Sequence, residues 1–131
     1  MKELRVDALE AGILRLEKGF LEASKHPNHE LMRDGVIQRF EYTMDLAWKL
    51  MQRYLKLIQI DESAIRSKND IFREAARLKI INNAEAWIGY YAARNETAHD
   101  YNTDKAALVY EKAALFLPDV ILLLETLRDI H

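Results

Sequence analysis

The chain has 131 residues, 19 Lys and Arg against 21 Asp and Glu, and a formal net charge of −2. That length points to one domain spanning 1–131, with roughly two-thirds of the unfolded surface buried on folding. Half the residues are hydrophobic and 31% charged, with 4 Gly, 2 Pro and no Cys, which excludes disordered and collagen-like classes, disulfide frameworks, thiol catalysis and the common structural zinc sites, and confines any nucleic-acid contact to a local patch.

The first periodic segment runs from Leu4 to Ala23, with Leu9, Ile13, Leu16, Phe20 and Leu21 at helical spacing. Pro27 disfavours helix at His26, and Asn28 suits a turn. The second segment, Leu31 to Ile58, carries Val36, Phe40, Met44, Ala47, Met51 and Tyr54 on one stripe, with Trp48 beside it. Its opposite face is Arg39, Asp45, Lys49, Gln52, Arg53 and Lys56, read as solvated. Gln59 to Arg66 is a connection, and Ser67 with Asp70 has the spacing of a capping box ahead of a short helix ending near Lys79. Asn82 and Asn83 mark a break before a fourth helix, Ala84 to His99. Turn residues at 100–103, with Thr103 as N-cap, precede a fifth helix from Asp104 towards Asp129, in which Pro118 removes one backbone bond and introduces a kink. The expected fold class is all-α, a compact up-and-down bundle of four to five helices that dimerises.

No segment has the length and apolarity of a membrane span, since Ala113 to Leu124 is broken by Pro118 and Asp119 and a span needs about 20 apolar residues. The amino terminus mixes both charge signs and resembles no signal peptide, so a cytoplasmic location is expected.

The stretch Tyr90 to Tyr101 concentrates the groups able to perform chemistry. On a helix Tyr91, Asn95 and His99 form one ladder, and Tyr90 and Arg94 a second beside it. Arg94 and His99 are five residues apart, which on an ideal helix separates their directions by about 140°. They converge if the helix loosens near His99, or if a twofold axis brings two copies of the fourth helix face to face. A neutral imidazole can accept the proton of a ribose 2′-hydroxyl, and a guanidinium can neutralise charge developing on phosphate oxygens, without a metal or cofactor. An Arg and a His near a helix C-terminus also serve simply to complement the helix dipole. The residues alone leave both readings open. Polar groups at a helix end are expected to add little to the core, so alanine at either position should leave the fold intact.

The run Arg94-Asn95-Glu96-Thr97-Ala98-His99-Asp100-Tyr101 resembles the Arg, four residues, His, any residue, Tyr motif of HEPN-domain proteins. The segment Gly35 to Lys49, with Gln38-Arg39-Phe40-Glu41 and Ala47-Trp48-Lys49, looks like the second helix of the branch encoded beside minimal nucleotidyltransferases, the nucleotidyltransferase substrate-binding proteins. The resemblance implies a homodimeric, metal-independent RNase toxin, with Arg94 and His99 as catalytic pair and Asn95 as supporting neighbour. It also implies RNA as substrate, no role for DNA, and a cognate minimal nucleotidyltransferase as antitoxin that attaches AMP to Tyr101. The rival implication is a non-catalytic subunit that presents a substrate or nucleotide to that transferase.

Other candidates read as structural. His26 and His29 lack further metal ligands at useful spacing and suit a solvated turn. Trp87, Tyr90 and Tyr91 fit an aromatic core or dimer interface better than base stacking, and Phe40, Met44, Trp48 and Met51 read as core.

Overall fold

The computed structural model describes residues 4–96 and 103–130. It contains α1 (Asp7–Ser24), α2 (Glu30–Leu57), a single 3-10 turn (Glu62–Ala64), α3 (Lys68–Arg77), α4 (Ala84–Glu96) and α5 (Thr103–Asp129). The fifth helix therefore includes Thr103, one residue earlier than the sequence suggests. Among the described residues there is no strand, and no helix is long and apolar enough to cross a membrane.

The four principal helices alternate in direction. Gly12 and Gly19 of α1 face Thr43 and Val36 of α2, so the two run antiparallel. A Cβ at Gly12 would lie 3.1 Å from Thr43 Oγ1, and one at Gly19 would lie 3.3 Å from Val36 Cγ2. The missing side chains let the backbones approach. Thr43 is itself fully buried, its hydroxyl donating to the Arg39 carbonyl at 2.7 Å. On its other flank α1 meets α5 through the Phe20–Tyr110 ring pair and the Glu10–Arg128 ion pair. Helix α4 lies antiparallel to α5, with Tyr90 near Leu115 and Asp119, and α3 closes one end through Phe72, stacked on Trp87.

The core is an aromatic junction. Phe116 of α5 meets Phe40 of α2 and both Trp87 and Tyr90 of α4, with ring centroids 5.2–5.5 Å apart. Trp87 and Tyr90 are thus consumed by packing. Trp48, expected in the core, is only partly buried and sits at the bundle's edge. Helix α5 passes through Pro118 without interruption, although Pro118 has no N–H for the carbonyl of Ala114. Next to that lost bond the Tyr90 hydroxyl sits 3.3 Å from the Leu115 carbonyl and bonds the Asp119 carboxylate. Burial and that carboxylate push the Tyr90 phenol pKa well up, so it stays a proton donor to α5 at any working pH.

The helix ends differ from expectation in detail. His29 is the N-cap of α2, its Nδ1 accepting from the Met32 N–H at 3.2 Å, so a capping role takes the place of an idle turn. Ser67 occupies the N-cap of α3, but its hydroxyl makes no cap bond. Asp70 reaches back one residue further than a capping box requires and accepts from the Arg66 N–H at 2.9 Å. Helices α2 and α3 both end in the paired six-to-one and five-to-two bonds of a Schellman motif, with Gln59 and Lys79 in the left-handed region where glycine is usual.

Candidate active site

Arg94 stands near the C-terminal end of α4 and turns toward α2 of its own chain. Its Nε and Nη2 each donate at 3.0 Å to the two oxygens of Asp45, a bidentate fork, and Nη1 donates to Glu41 at 3.4 Å. Glu41 and Asp45 are one helical turn apart on α2, so a single cation meets two carboxylates. The Trp48 indole N–H donates to Asp45 as well, at 3.3 Å. The side chains of Arg94, Asp45 and Glu41 keep only 24%, 31% and 27% of their exposure, which makes these charge-assisted bonds stronger than an ordinary surface pair.

The electrostatics follow from that geometry. Partial burial pushes the Asp45 carboxyl up, but hydrogen bonding and charge from Arg94, aided by Trp48 and Lys49, outweigh it and hold the group below its ordinary value. The Asp45 hydrogen bonds raise the Arg94 pKa against its own burial, and the charges of Asp45 and Glu41 raise it further. Asp45 is therefore not part of a purely solvated face, as its position among polar neighbours suggested; it is the anchor of Arg94.

Because the folded Asp45 pKa is depressed, its stabilising contribution is complete above the unfolded value and is lost as pH falls through the folded one, below about pH 4. Asp45→Asn should melt below the parent at pH 7, by an amount corresponding to about 1–3 kcal/mol. Thermal melts between pH 7 and 3 should show the two curves converging below pH 4, and parallel curves throughout would dismiss the pair as a stabilising element.

Asn95 is exposed beside Arg94, whereas Tyr91 is half-buried against Trp48 and Phe72, with ring centroids 6.3 and 5.9 Å away. Lys68, at the start of α3, holds its ammonium 4.8 Å from the Trp48 ring centroid and 6.0 Å from that of Tyr91. The surface beside Arg94 thus carries a cation over two aromatic rings. His99 and Tyr101 lie outside the described residues. Arg94 is brought together with Glu41 and Asp45, partners that the spacing within its own helix could not reveal. The available signal was the acidic pair four residues apart, adjoining Trp48 on a helix flank. Among the described residues no group of three or more His, Asp or Glu is placed to hold a metal ion.

An all-helical up-and-down bundle that presents a carboxylate-anchored Arg at the end of its fourth helix belongs, by its sequence over residues 4–129, to the nucleotidyltransferase substrate-binding protein family. Among individual relatives, the chain is 32% identical over 137 aligned positions to the protein named probable ribonuclease HepT from Haemophilus influenzae (strain ATCC 51907 / DSM 11121 / KW20 / Rd), covering 97% of this chain and 94% of that one. Two solved structures share the fold. HI0074 of Haemophilus influenzae, described as having the fold of a substrate binding domain of a nucleotidyltransferase, superposes with a TM-score of 0.84 at 31% identity, over 95% of this chain and 99% of that one. A protein of Thermus thermophilus gives 0.75 at 27% identity, over 92% and 98%.

Proposed function

We propose that this chain is an endoribonuclease of the HEPN type, the toxin of a toxin–antitoxin pair whose partner is a minimal nucleotidyltransferase. The observation that carries the reading is the anchored Arg94: two carboxylates, one of them itself held by the Trp48 indole, fix one guanidinium in place five residues before His99. A group whose orientation is set before substrate arrives acts on developing charge without reorganising. The name of the Haemophilus ribonuclease relative supports the same chemistry.

In the proposed reaction His99 takes the proton of a ribose 2′-hydroxyl, and the 2′-oxygen forms a bond to the adjacent phosphorus. The bond from phosphorus to the 5′-oxygen breaks, a proton is delivered to that leaving oxygen, and a cyclic phosphate and a 5′-hydroxyl result. Arg94 stabilises the charge on the non-bridging oxygens, and Asn95 binds beside it. The active unit is a homodimer. The exposed Leu108, Leu115 and Leu122 on α5, seven residues apart, provide an apolar line for a second copy. The partner transferase silences the enzyme by attaching AMP to Tyr101, which adds negative charge where an RNA phosphate would bind.

The alternative is a non-catalytic subunit that presents a substrate or nucleotide to the transferase. It is favoured by the description of the HI0074 fold and by the two carboxylates that cancel the charge of Arg94. One preparation separates the two. Purified protein incubated with total RNA in excess chelator should yield fragments ending in cyclic phosphate, and protein co-expressed with the transferase should be silent and heavier by AMP on Tyr101. Intact RNA at high protein concentration would transfer the assignment to the presenting subunit.

A further inference from the structure

Arg94 cannot by itself attract an anion, because Asp45 and Glu41 answer its single charge with two. Positive charge accumulates instead one turn further along the same helix. Taken from Asp45, the directions of Lys49, Gln52 and Lys56 around α2 fall within roughly 40°. With Arg53 they form one wall of an open groove whose other side is the start of α1, at Arg5 and Ala8. The groove encloses about 710 Å³, and its floor is apolar, made of Leu9, Leu46, Leu50 and Leu57. Four cations and no carboxylate line it, in a chain whose formal net charge is −2. Among the described residues, Arg5, Arg53 and Lys56 form no ion pair.

We infer that this groove binds the phosphate backbone of single-stranded RNA and feeds the strand toward Arg94. The inference rests on the nuclease reading for its destination, but on its own charge and shape for binding. From Lys49 to Lys56 the helix rises roughly 10 Å, so the cations along it can meet successive phosphates of one extended strand. The apolar floor suits sugars and base faces while the rim holds charge. At the Arg94 end the cationic wall continues, because Lys49 lies 5.7 Å from the Trp48 ring centroid and Lys68 lies over both Trp48 and Tyr91. A basic track beside an electrostatically neutralised reaction centre divides the labour between capture and chemistry.

The test uses a short, fluorescein-labelled 2′-O-methyl RNA, which cannot be cut, so that binding is read without cleavage. For the full-length parent, log affinity should fall with log salt at a slope near −3, the value for about four contacts on a single strand. Combined Lys49→Gln, Arg53→Gln and Lys56→Gln should bind at least about tenfold more weakly at low salt, with the slope reduced by about 2. Arg5→Gln, on the opposite wall, should lower the slope by about 0.7, whereas Lys112→Gln on α5 should change nothing. On cleavable RNA the triple variant should raise KM and leave kcat in place. If the triple variant and Arg5→Gln both keep parental affinity and slope, the groove is not an RNA track. Loss of transferase binding with RNA affinity intact would overturn the proposal equally, by assigning the groove to a protein partner. If the parent binds through the groove and yet cuts no RNA, the groove stands and the nuclease reading falls.

Discussion

His99→Ala should lose RNA cleavage by about 10²-fold or more while melting at the parental temperature, since the loss of a proton-transfer group costs that much in rate. Arg94→Ala should lose a comparable factor, because one preorganised donor to developing charge contributes about 10²–10³-fold. The two variants part company in stability. Arg94 ties α4 to α2, and its removal strands the partly buried Asp45 and Glu41, which costs about 1–3 kcal/mol. The expectation that alanine leaves the fold undisturbed is therefore kept for position 99 and withdrawn for position 94, which is a structural joint. Arg94→Lys is the discriminating variant. It keeps the charge but not the planar fork, so it should recover part of the melting temperature and little of the activity. Initial rates on a defined RNA in excess chelator, beside calorimetric melts, read both quantities. Full activity in His99→Ala would remove His99 from the mechanism.

The largest loss of stability is expected from Phe116→Ala. Phe116 is fully buried and touches rings from two other helices, Phe40 of α2 and Trp87 and Tyr90 of α4. Emptying such a position costs about 3–5 kcal/mol, from lost apolar transfer and from the cavity that surrounding rings cannot fill. At this chain length that corresponds to a drop of roughly 10–20 °C in Tm. Glu111→Ala, on the exposed face of the same helix, should stay within about 0.5 kcal/mol of the parent. A Phe116→Ala protein that melts with Glu111→Ala would show that the aromatic junction does not organise the core.

The helices were legible because each long segment repeats its apolar residues at the helical period, and Pro27 and the Asn82-Asn83 pair punctuate them. The family could be read from the Arg94 motif taken with the Gln38 to Lys49 segment, and the comparison over residues 4–129 agrees. What could not be read was which polar residue on α2 reaches across to α4. Asp45 and Arg94 are 49 positions apart, and their meeting depends on the angle at which α4 crosses α2, a property of packing that no local pattern encodes. The same limit applies to Lys49, Arg53 and Lys56. As a sequence they are a polar helix face, and only the placement of Arg5 opposite turns that face into a groove. Trp48 misled for a related reason: an aromatic on the border of an apolar stripe can face inward or lie at the edge, and its indole N–H found Asp45 at the edge.

The contact between α1 and α2 also sets the shape of the basic groove. Leu46 belongs to both: its Cδ1 lies 3.3 Å from where a Cβ at Gly12 would stand, and it lines the groove floor. One added methyl at position 12 would meet Thr43 Oγ1 at 3.1 Å as well as Leu46, so Leu46 or the helix spacing must give by a few tenths of an ångström, and either adjustment alters the floor beneath Arg5 and Lys49. The bore of the groove is in this sense gauged by a missing atom, so a change in the seam between two helices, far from any charge, is a way to retune what the protein grips.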